Sequence, residues 1–289
     1  MNAVLKSAAL PRMGLASASV LFELSISVWT GRKLDRQVSA EVDMDKSTRA
    51  RGGNYNKNLF AGCTELEDLT KFVSRVRQWV MMNTLPWSYT GPSLLPTAKM
   101  FEFNQQLEVY RQEFDDKVRD FVAIYPTLIQ AASLNLGNLF DPEDYPDVSV
   151  IKDKFGFRFV YTPVPENDFR INVGSEEVDF LHAQYEKIIA DREVDIARTN
   201  WERLHTEATR LANQLKDKGR VYDSTFDGLM ALCEGMDAMN ITGDNELDRR
   251  RKEIMAVLRT TDTKQLREQP SIKKDVKKDI EDILAKFNF

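Results

Sequence analysis

The stretch that decides the fold is "FEFNQQLEVYRQEFDDKVRDFVAIYPTL", residues 101–128. Its apolar side chains recur every three or four residues, which is the period of one face of a helix. Aromatic residues occupy five of the eight positions in this stripe, which consists of Phe103, Leu107, Tyr110, Phe114, Val118, Phe121, Tyr125 and Leu128. Bases stack on exposed rings, whereas a helix buries its apolar face, so the stripe predicts a core-forming helix rather than a stacking platform.

Three long helices are predicted. The aromatic helix covers about residues 97–136, and Pro126 predicts a kink about one turn earlier because proline lacks an amide hydrogen. The capping box "TELE" opens a second helix over about residues 64–83. A third, over about residues 175–217, is roughly 60 Å long if unbroken. That length suggests an antiparallel, coiled-coil-like arm formed with the aromatic helix, and a break near residues 195–200 is the alternative.

Strands are predicted where apolar and polar residues alternate. The clearest is "VLFELSISVW", residues 20–29, and residues 155–162 and 168–173 follow the same pattern. A small antiparallel sheet with helices on one face would bury these apolar side chains. The expected fold class is therefore α+β and mainly α-helical: a long antiparallel helical arm with a small antiparallel sheet of about three strands.

Three regions are expected along the chain: an N-terminal arm at residues 1–19, a body of long helices and sheet at residues 20–220, and a C-terminal region of shorter helices at residues 221–289. The first 22 residues lack acidic side chains, as targeting peptides do, but a proline interrupts their apolar part, so a loose or partner-docked arm is favoured. No run approaches the roughly 20 apolar residues of a membrane span. A cytoplasmic protein without membrane contact is expected.

The net charge of −5 hides an uneven distribution. Residues 1–60 carry 9 Lys+Arg against 5 Asp+Glu, residues 61–248 carry 19 against 33, and residues 249–289 carry 12 against 7. A protein that follows duplex DNA is usually basic over a whole face, so the acidic middle argues against extensive DNA contact. Either basic end can still contact a phosphate or an acidic protein surface, or can dock on the acidic middle of the same chain.

Two basic segments supply the candidate contacts to a protein partner or a nucleic acid. These residues are Arg32, Lys33, Arg49, Arg51, Arg249, Arg250, Arg251 and Lys252. Gly31-Arg32-Lys33 is interpreted as the exit of the opening strand, with side chains available to a partner. "RARGGNYNK", residues 49–57, is interpreted as a mobile loop that can alternatively close over a single strand of nucleic acid. The residues near 250 are typical of a solvated helix face.

No catalytic, metal or cofactor site is recognised. Cys63 and Cys233 have no second cysteine nearby, and His182 and His205 lie on one predicted helix, roughly 35 Å apart if it is continuous. Glycine motifs for phosphate binding are absent. The acids of residues 138–150 contain oxygen ligands that suit a hard cation, but their spacing does not fit a calcium loop and two prolines favour a turn with solvated charges. The chain is therefore expected not to be an enzyme and to need no cofactor.

Several stretches together resemble an uncharacterised bacteriophage and prophage family, a domain of unknown function. They are "SISVWTGRKLD", "LPWSYTGPSLLP", "LFDPEDYPD", "FRFVYTPVPENDFRINV" and "LREQPSIKKDVKKDIEDILAKF", and the resemblance spans about residues 20–287. It implies a phage-encoded cytosolic protein, in some genomes encoded near a MoxR-type AAA+ ATPase and a von Willebrand factor A domain protein. It implies no catalytic residues.

Two functions of different classes are expected. The first is a non-enzymatic interaction or adaptor protein whose partner is an AAA+ ATPase, a host protein or a second copy of the chain. The alternative is a nucleic-acid-binding protein of phage replication, recombination or counter-defence that uses the two basic segments. Pairing of those segments with acidic residues of the chain would favour the first, and their convergence on one continuous face would favour the second.

Overall fold

The computed structural model describes residues 14–88, 90–165, 175–216 and 219–287. The predicted strand at residues 168–173 lies outside this part of the chain. Helices dominate the described residues and a small antiparallel sheet accompanies them, so the predicted fold class is confirmed.

The helices agree closely with the predicted long segments. They are α1 (Leu15–Ala18), α2 (Arg36–Asp45), α3 (Glu65–Asn83), α4 (Met100–Asn135), α5 (Val148–Ile151), α6 (Ser175–Gln214), α7 (Asp223–Met239), α8 (Asn245–Arg259), α9 (Thr263–Glu268) and α10 (Pro270–Leu284). α4 continues through Pro126. α6 is unbroken, so the alternative of a break near residues 195–200 is wrong. Within the described residues, no helix combines the length and the apolar content that crossing a bilayer requires.

The described strands form two sheets. β1 (Ser19–Ser27), β4 (Ser93–Pro96) and β5 (Gly156–Pro163) form a three-stranded sheet in the order β4-β1-β5. β2 (Arg32–Asp35) and β3 (Tyr55–Asn58) form a separate antiparallel pair. β1 and β5 match predicted strands, whereas β2, β3 and β4 have no counterpart in the sequence prediction.

β4 lies in the proline-rich stretch that indicated only the end of a helix. It pairs antiparallel with β1, with Leu94 opposite Leu21. The Leu94 amide also donates to the Leu85 carbonyl oxygen at 2.9 Å. Because β4 is at the edge of the sheet, it tolerates the prolines that would break a central strand.

The chain divides into two compact units. Unit 1 combines the residues up to 23 with residues 82–101 and the residues from 161 onward, and unit 2 combines residues 24–81 with residues 102–160. Each unit has its own buried apolar cluster.

The core of unit 2 is built on the aromatic stripe of α4. Phe114, Phe121 and Tyr125 are each at most 2% exposed, which confirms the predicted core position of these rings. The Phe60 ring lies edge-on to Phe121 and to Tyr125, with centroids 5.9 Å and 5.8 Å apart. Val76 of α3 is fully buried in the same cluster. The stripe is therefore packed and is not available for base stacking.

The core of unit 1 forms where α6 packs against α7, α8 and α10. Its central residues are completely buried; they include Leu204, Ala208, Leu211, Leu229, Ile254 and Ile280. The pairing of α6 with residues 97–136 stays a prediction, because α4 belongs almost entirely to the other unit.

Candidate interaction site

Four of the eight candidate residues lie in a β2–α2–β3 module, residues 31–58 of unit 2. β2 and β3 pair antiparallel, from Arg32 opposite Asn58 to Asp35 opposite Tyr55, and α2 with the loop after it joins them. Gly31-Arg32-Lys33 is therefore more than a strand exit, because it begins a second sheet. The interpretation of residues 49–57 as a mobile loop is also wrong for the last three of them, which belong to β3.

Gly31 fixes the entry to the module. Its φ of +60° lies in the left-handed region, and it is buried. A Cβ atom there would lie 2.7 Å from Leu66 Cδ2 and 3.1 Å from Phe60 Cδ2. The Gly31 carbonyl oxygen accepts a hydrogen bond from the Leu59 amide at 2.8 Å. Only glycine combines this φ with so close an approach to the unit 2 core.

Three polar side chains hold α2 against the loop and β3. Asp35 caps α2 by accepting a hydrogen bond from the Val38 amide at 3.0 Å. The Ser39 hydroxyl donates to the Asp35 carbonyl oxygen at 2.5 Å and accepts from the Tyr55 amide at 2.9 Å. Asp43 accepts a hydrogen bond from the Gly52 amide at 3.0 Å. The C-terminal end of the loop that carries the two candidate arginines is thus fastened to α2.

A buried ion-pair network lies beneath the module. The Asp144 carboxylate, 2% exposed, contacts the ammonium groups of both Lys33 and Lys57. Lys57 is 8% exposed, lies 3.6 Å from an Asp35 oxygen and donates to the Leu139 carbonyl oxygen at 3.0 Å. The Lys33 side chain is half-exposed, so it serves the fold as well as the surface.

The pKa values of this network follow from its contacts. Burial alone would raise the pKa of Asp144, but hydrogen bonds and charge interactions with Lys33 and Lys57 outweigh it and hold the pKa below its usual value. Burial would likewise lower the pKa of Lys57, and the interactions with Asp144 raise it above its usual value instead. Both groups therefore remain charged at neutral pH.

The acidic segment at residues 138–150 is not a turn of solvated charges throughout, because Asp144 is buried. Two tyrosines attach the segment to the unit 2 core: the Tyr145 hydroxyl donates to the Leu59 carbonyl oxygen at 2.8 Å, and the Tyr125 hydroxyl donates to the Pro146 carbonyl oxygen at 2.8 Å. Burial raises the pKa of each phenol to about 12. The segment therefore has a structural role.

Several apolar and cationic side chains of the module are exposed. We call this set the module surface, and it consists of Arg32, Val42, Met44, Arg49, Arg51 and Tyr55, all of them exposed. Met44 is 72% exposed. Val42 and Tyr55 line a cavity of about 350 Å³ together with residues of the glycine-containing loop, among them Gly52 and Gly53. In the described part of the chain, no ion pair involves Arg32, Arg49 or Arg51.

The other four candidate residues lie in α8 of unit 1, where two of them are buried. Arg250 and Arg251 are each 8% exposed. Arg250 pairs with Glu253 at 2.9 Å. Arg251 donates to Asp248 at 2.9 Å through Nε and to the Cys233 carbonyl oxygen at 3.2 Å. The prediction that these two arginines contact a partner is therefore wrong, because they bind the acids and backbone around them.

Arg249 and Lys252 remain at the surface of α8, but each has an acidic neighbour. Arg249 lies 3.5 Å from Glu253, and Lys252 lies 2.6 Å from Asp248. Both pairs join residues four positions apart on the helix, as expected for a solvated helix face. The α8 cluster thus pairs with acids of its own helix and, through Arg251, with Asp237 of α7 at 3.1 Å.

Neither cysteine is poised for catalysis. Burial raises the pKa of the Cys63 thiol, and it raises the pKa of the Cys233 thiol to about 12, so both are protonated at neutral pH. His182 and His205 lie on the continuous α6, too far apart to share one site. Among the described residues, no group of three or more His, Cys, Asp or Glu side chains is placed to hold a metal ion.

Comparison with known proteins gives no match to a family model, a curated protein or a solved structure. The resemblance to the phage family therefore stays a prediction.

Proposed function

We propose that the chain is a non-enzymatic interaction protein, a phage-encoded cytoplasmic adaptor that binds a protein partner through the β2–α2–β3 module. The observation that carries the proposal is the exposure of the module surface residues, which include Met44, Tyr55 and three arginines. Methionine, aromatic residues and arginine are the residue types enriched at protein interfaces.

The support beneath the module surface strengthens this proposal. The Lys57–Asp144 pair and the Gly31 entry fix β2 and β3 to the unit 2 core. Asp35, Ser39 and Asp43 then fix α2 and the loop. A surface held in place before binding loses less conformational entropy when a partner docks, which favours affinity.

The charge of the surface selects the kind of partner. Arg32, Arg49 and Arg51 have no ion-pair partner in the described chain, so an acidic protein surface would complement them. The phage-family resemblance favours a MoxR-type AAA+ ATPase that acts with a von Willebrand factor A domain protein. A host protein and a second copy of the chain are the other candidates.

Charge reversal tests the proposal. Purified MoxR-type ATPase is titrated into the wild-type chain and into the double variant Arg49→Glu with Arg51→Glu, and binding is measured by calorimetry. The variant is expected to bind at least about tenfold more weakly, because like charges would then face each other. Lys274→Glu with Lys278→Glu is the matched control, since both lysines are exposed on α10 of unit 1. Equal weakening of both double variants would contradict a specific role of the module.

A nucleic-acid function is the second candidate, and the same three arginines favour it. Anisotropy of labelled single- and double-stranded DNA, titrated against salt, separates the two functions. Micromolar binding that falls steeply with salt and is lost in the Arg49→Glu with Arg51→Glu variant would support nucleic-acid binding. Absence of DNA binding at about 50 mM salt would argue against nucleic-acid binding, and binding of a protein partner would remain the proposed function.

A further inference from the structure

Unit 1 contains a cationic cavity of its own. It has a volume of about 720 Å³ and lies where the chain leaves α6 and enters α7. Among the residues that the structure describes, its charged lining consists of Arg220, Arg267, Lys273 and Asp223. Three cations against one carboxylate give the cavity a positive balance, and its volume lies in the range typical of small-ligand sites.

The cations are held in position by backbone contacts. Lys273 donates to the Gly219 carbonyl oxygen at 2.8 Å, and Arg267 donates through Nε to the Val221 carbonyl oxygen at 3.2 Å. Arg267 also pairs with Asp223 at 2.6 Å. Both side chains line the cavity, and these contacts use only some of their donors, because a guanidinium carries five N–H groups and an ammonium three.

An aromatic ring completes the cavity wall. The Arg220 guanidinium carbon lies 5.3 Å from the centroid of the Tyr222 ring, and both side chains are exposed. The Gln214 side chain fixes this corner by accepting a hydrogen bond from the Tyr222 amide at 3.1 Å. Arg220 and Tyr222 also line a second cavity of about 570 Å³, so the two cavities meet at this pair. The exposed guanidinium and the exposed phenol ring are both planar groups on which a heteroaromatic base can stack.

The start of α7 adds donors at the same place. No side chain caps this helix, and Asp223 and Ser224 of its first turn line the cavity. The amide groups of a first helical turn favour an anion. The start of α7 thus adds to the anion preference that the cationic side chains already give the cavity.

We propose that this cavity binds a nucleotide, with its phosphates between Arg267 and Lys273 and its base against Tyr222. Phosphate oxygens match the charge-assisted donors, and the base matches the ring. The site belongs to unit 1 and is independent of the β2–α2–β3 module.

Calorimetry with ATP, AMP and pyrophosphate tests the proposal on the full chain. ATP is expected to bind more tightly than AMP, because it places more charge between the cations. Lys273→Gln is expected to weaken ATP binding about tenfold, since a charge-assisted contact is lost. Lys274→Gln is the matched control: it removes the adjacent, exposed cation of α10 that does not line the cavity, and it is expected to leave binding unchanged.

Tyr222→Ala tests the position of the base. It is expected to weaken ATP binding and to leave pyrophosphate binding unchanged. Absence of binding of all three ligands at about 1 mM would overturn the proposal. Equal losses in Lys273→Gln and Lys274→Gln, or pyrophosphate binding as tight as that of ATP, would overturn it as well.

Discussion

Gly31 connects β1 to the module in a conformation that other residues rarely adopt. Gly31→Ala is expected to lower the free energy of unfolding by about 2 to 4 kcal/mol, because an alanine at positive φ is strained and its Cβ would press on Leu66 and Phe60. Urea denaturation monitored by circular dichroism measures the change. The matched control is Gly53→Ala, where an added Cβ meets nothing within 4 Å, and its effect should stay within about 0.5 kcal/mol.

Asp144 makes the stability of unit 2 depend on pH. Asp144→Asn is expected to cost about 3 to 5 kcal/mol at pH 7, because it removes the closest carboxylate of the buried Lys57 and leaves it with Asp35, at 3.6 Å. The folded pKa of Asp144 lies below the unfolded value of about 3.9, so its contribution is present above that pH and is lost as the pH falls through the folded pKa.

Urea titrations of the wild type and Asp144→Asn between pH 7 and pH 2 follow this contribution. The difference between the two free energies of unfolding should stay constant down to about pH 5 and shrink below about pH 4. A difference that does not change with pH would mean that the carboxylate charge is not what stabilises the network. At the alkaline end, the contribution of Lys57 persists below about pH 10.4 and is lost as the pH rises through its raised folded value.

The sequence alone could not identify this residue network. Asp144 lies far along the chain from Lys33 and Lys57, and only the folded unit 2 brings the three together. Sequence periodicity reports which residues share a face of one helix or strand, and it carries no information on contacts between distant segments. A charged side chain in a loop is therefore predicted to be solvated. Gly31 carried a weak signal, since glycine before a basic pair is compatible with a turn of positive φ.

At the scale of elements, α8 shows how buried basic residues can be predicted as exposed ones. Its buried apolar residues include Leu247, Ile254 and Leu258, at spacings of seven and four. Arg250 and Arg251 fall on the same face, between Leu247 and Ile254, and that spacing is the signal that could have indicated their burial. The long apolar stem of arginine makes such a position tolerable when its guanidinium finds acids, as it does here.

Arg251 is therefore expected to stabilise the packing of α8 on α7. Arg251→Ala should lower the free energy of unfolding by about 2 to 3 kcal/mol, because the Cys233 carbonyl oxygen and Asp248 lose a donor and the stem leaves a gap. Lys252→Ala is the matched control on the next residue, where an exposed pair contributes under about 1 kcal/mol. Equal stabilities of the two variants in urea would show that the buried position of Arg251 has no energetic consequence.

The sequence pattern predicted the long helices but not the short strands β2 and β3. "RKLD" and "YNKN" show no alternation of apolar residues, and their pairing depends on α2 and the core beneath them. α3, α4 and α6 instead repeat their apolar pattern over 19, 36 and 40 residues, so the local signal accumulates. Short polar strands are the part of this fold that tertiary contacts decide.

For the whole molecule, the important feature is the path of the chain between units. It passes from one unit to the other after residues 23, 81, 101 and 160, and each passage falls inside a strand or helix: β1, α3, α4 and β5. Regular elements that continue from one unit into the other should make unfolding cooperative, because fraying one end of such an element removes hydrogen bonds along it.

A single thermal transition is therefore expected, with equal calorimetric and van't Hoff enthalpies. Phe114→Ala in the unit 2 core and Leu229→Ala in the unit 1 core should each cost about 3 to 5 kcal/mol and shift that same transition to lower temperature. Differential scanning calorimetry of both variants measures this. Two separate transitions in either variant would show that the units unfold independently.

The order of these segments along the chain also determines which unit is completely synthesised first. Unit 2 is complete once residue 160 has left the ribosome, whereas unit 1 joins residues from before 24 to helices that end at residue 284. At about 5 to 20 residues per second, the second half of unit 1 follows roughly 6 to 25 s later. During that interval Leu21 and Leu94 lack Ile196 and Met239, which join them in a second apolar cluster of unit 1. β1 of the nascent chain therefore keeps this apolar surface exposed to chaperones until the later helices have been made.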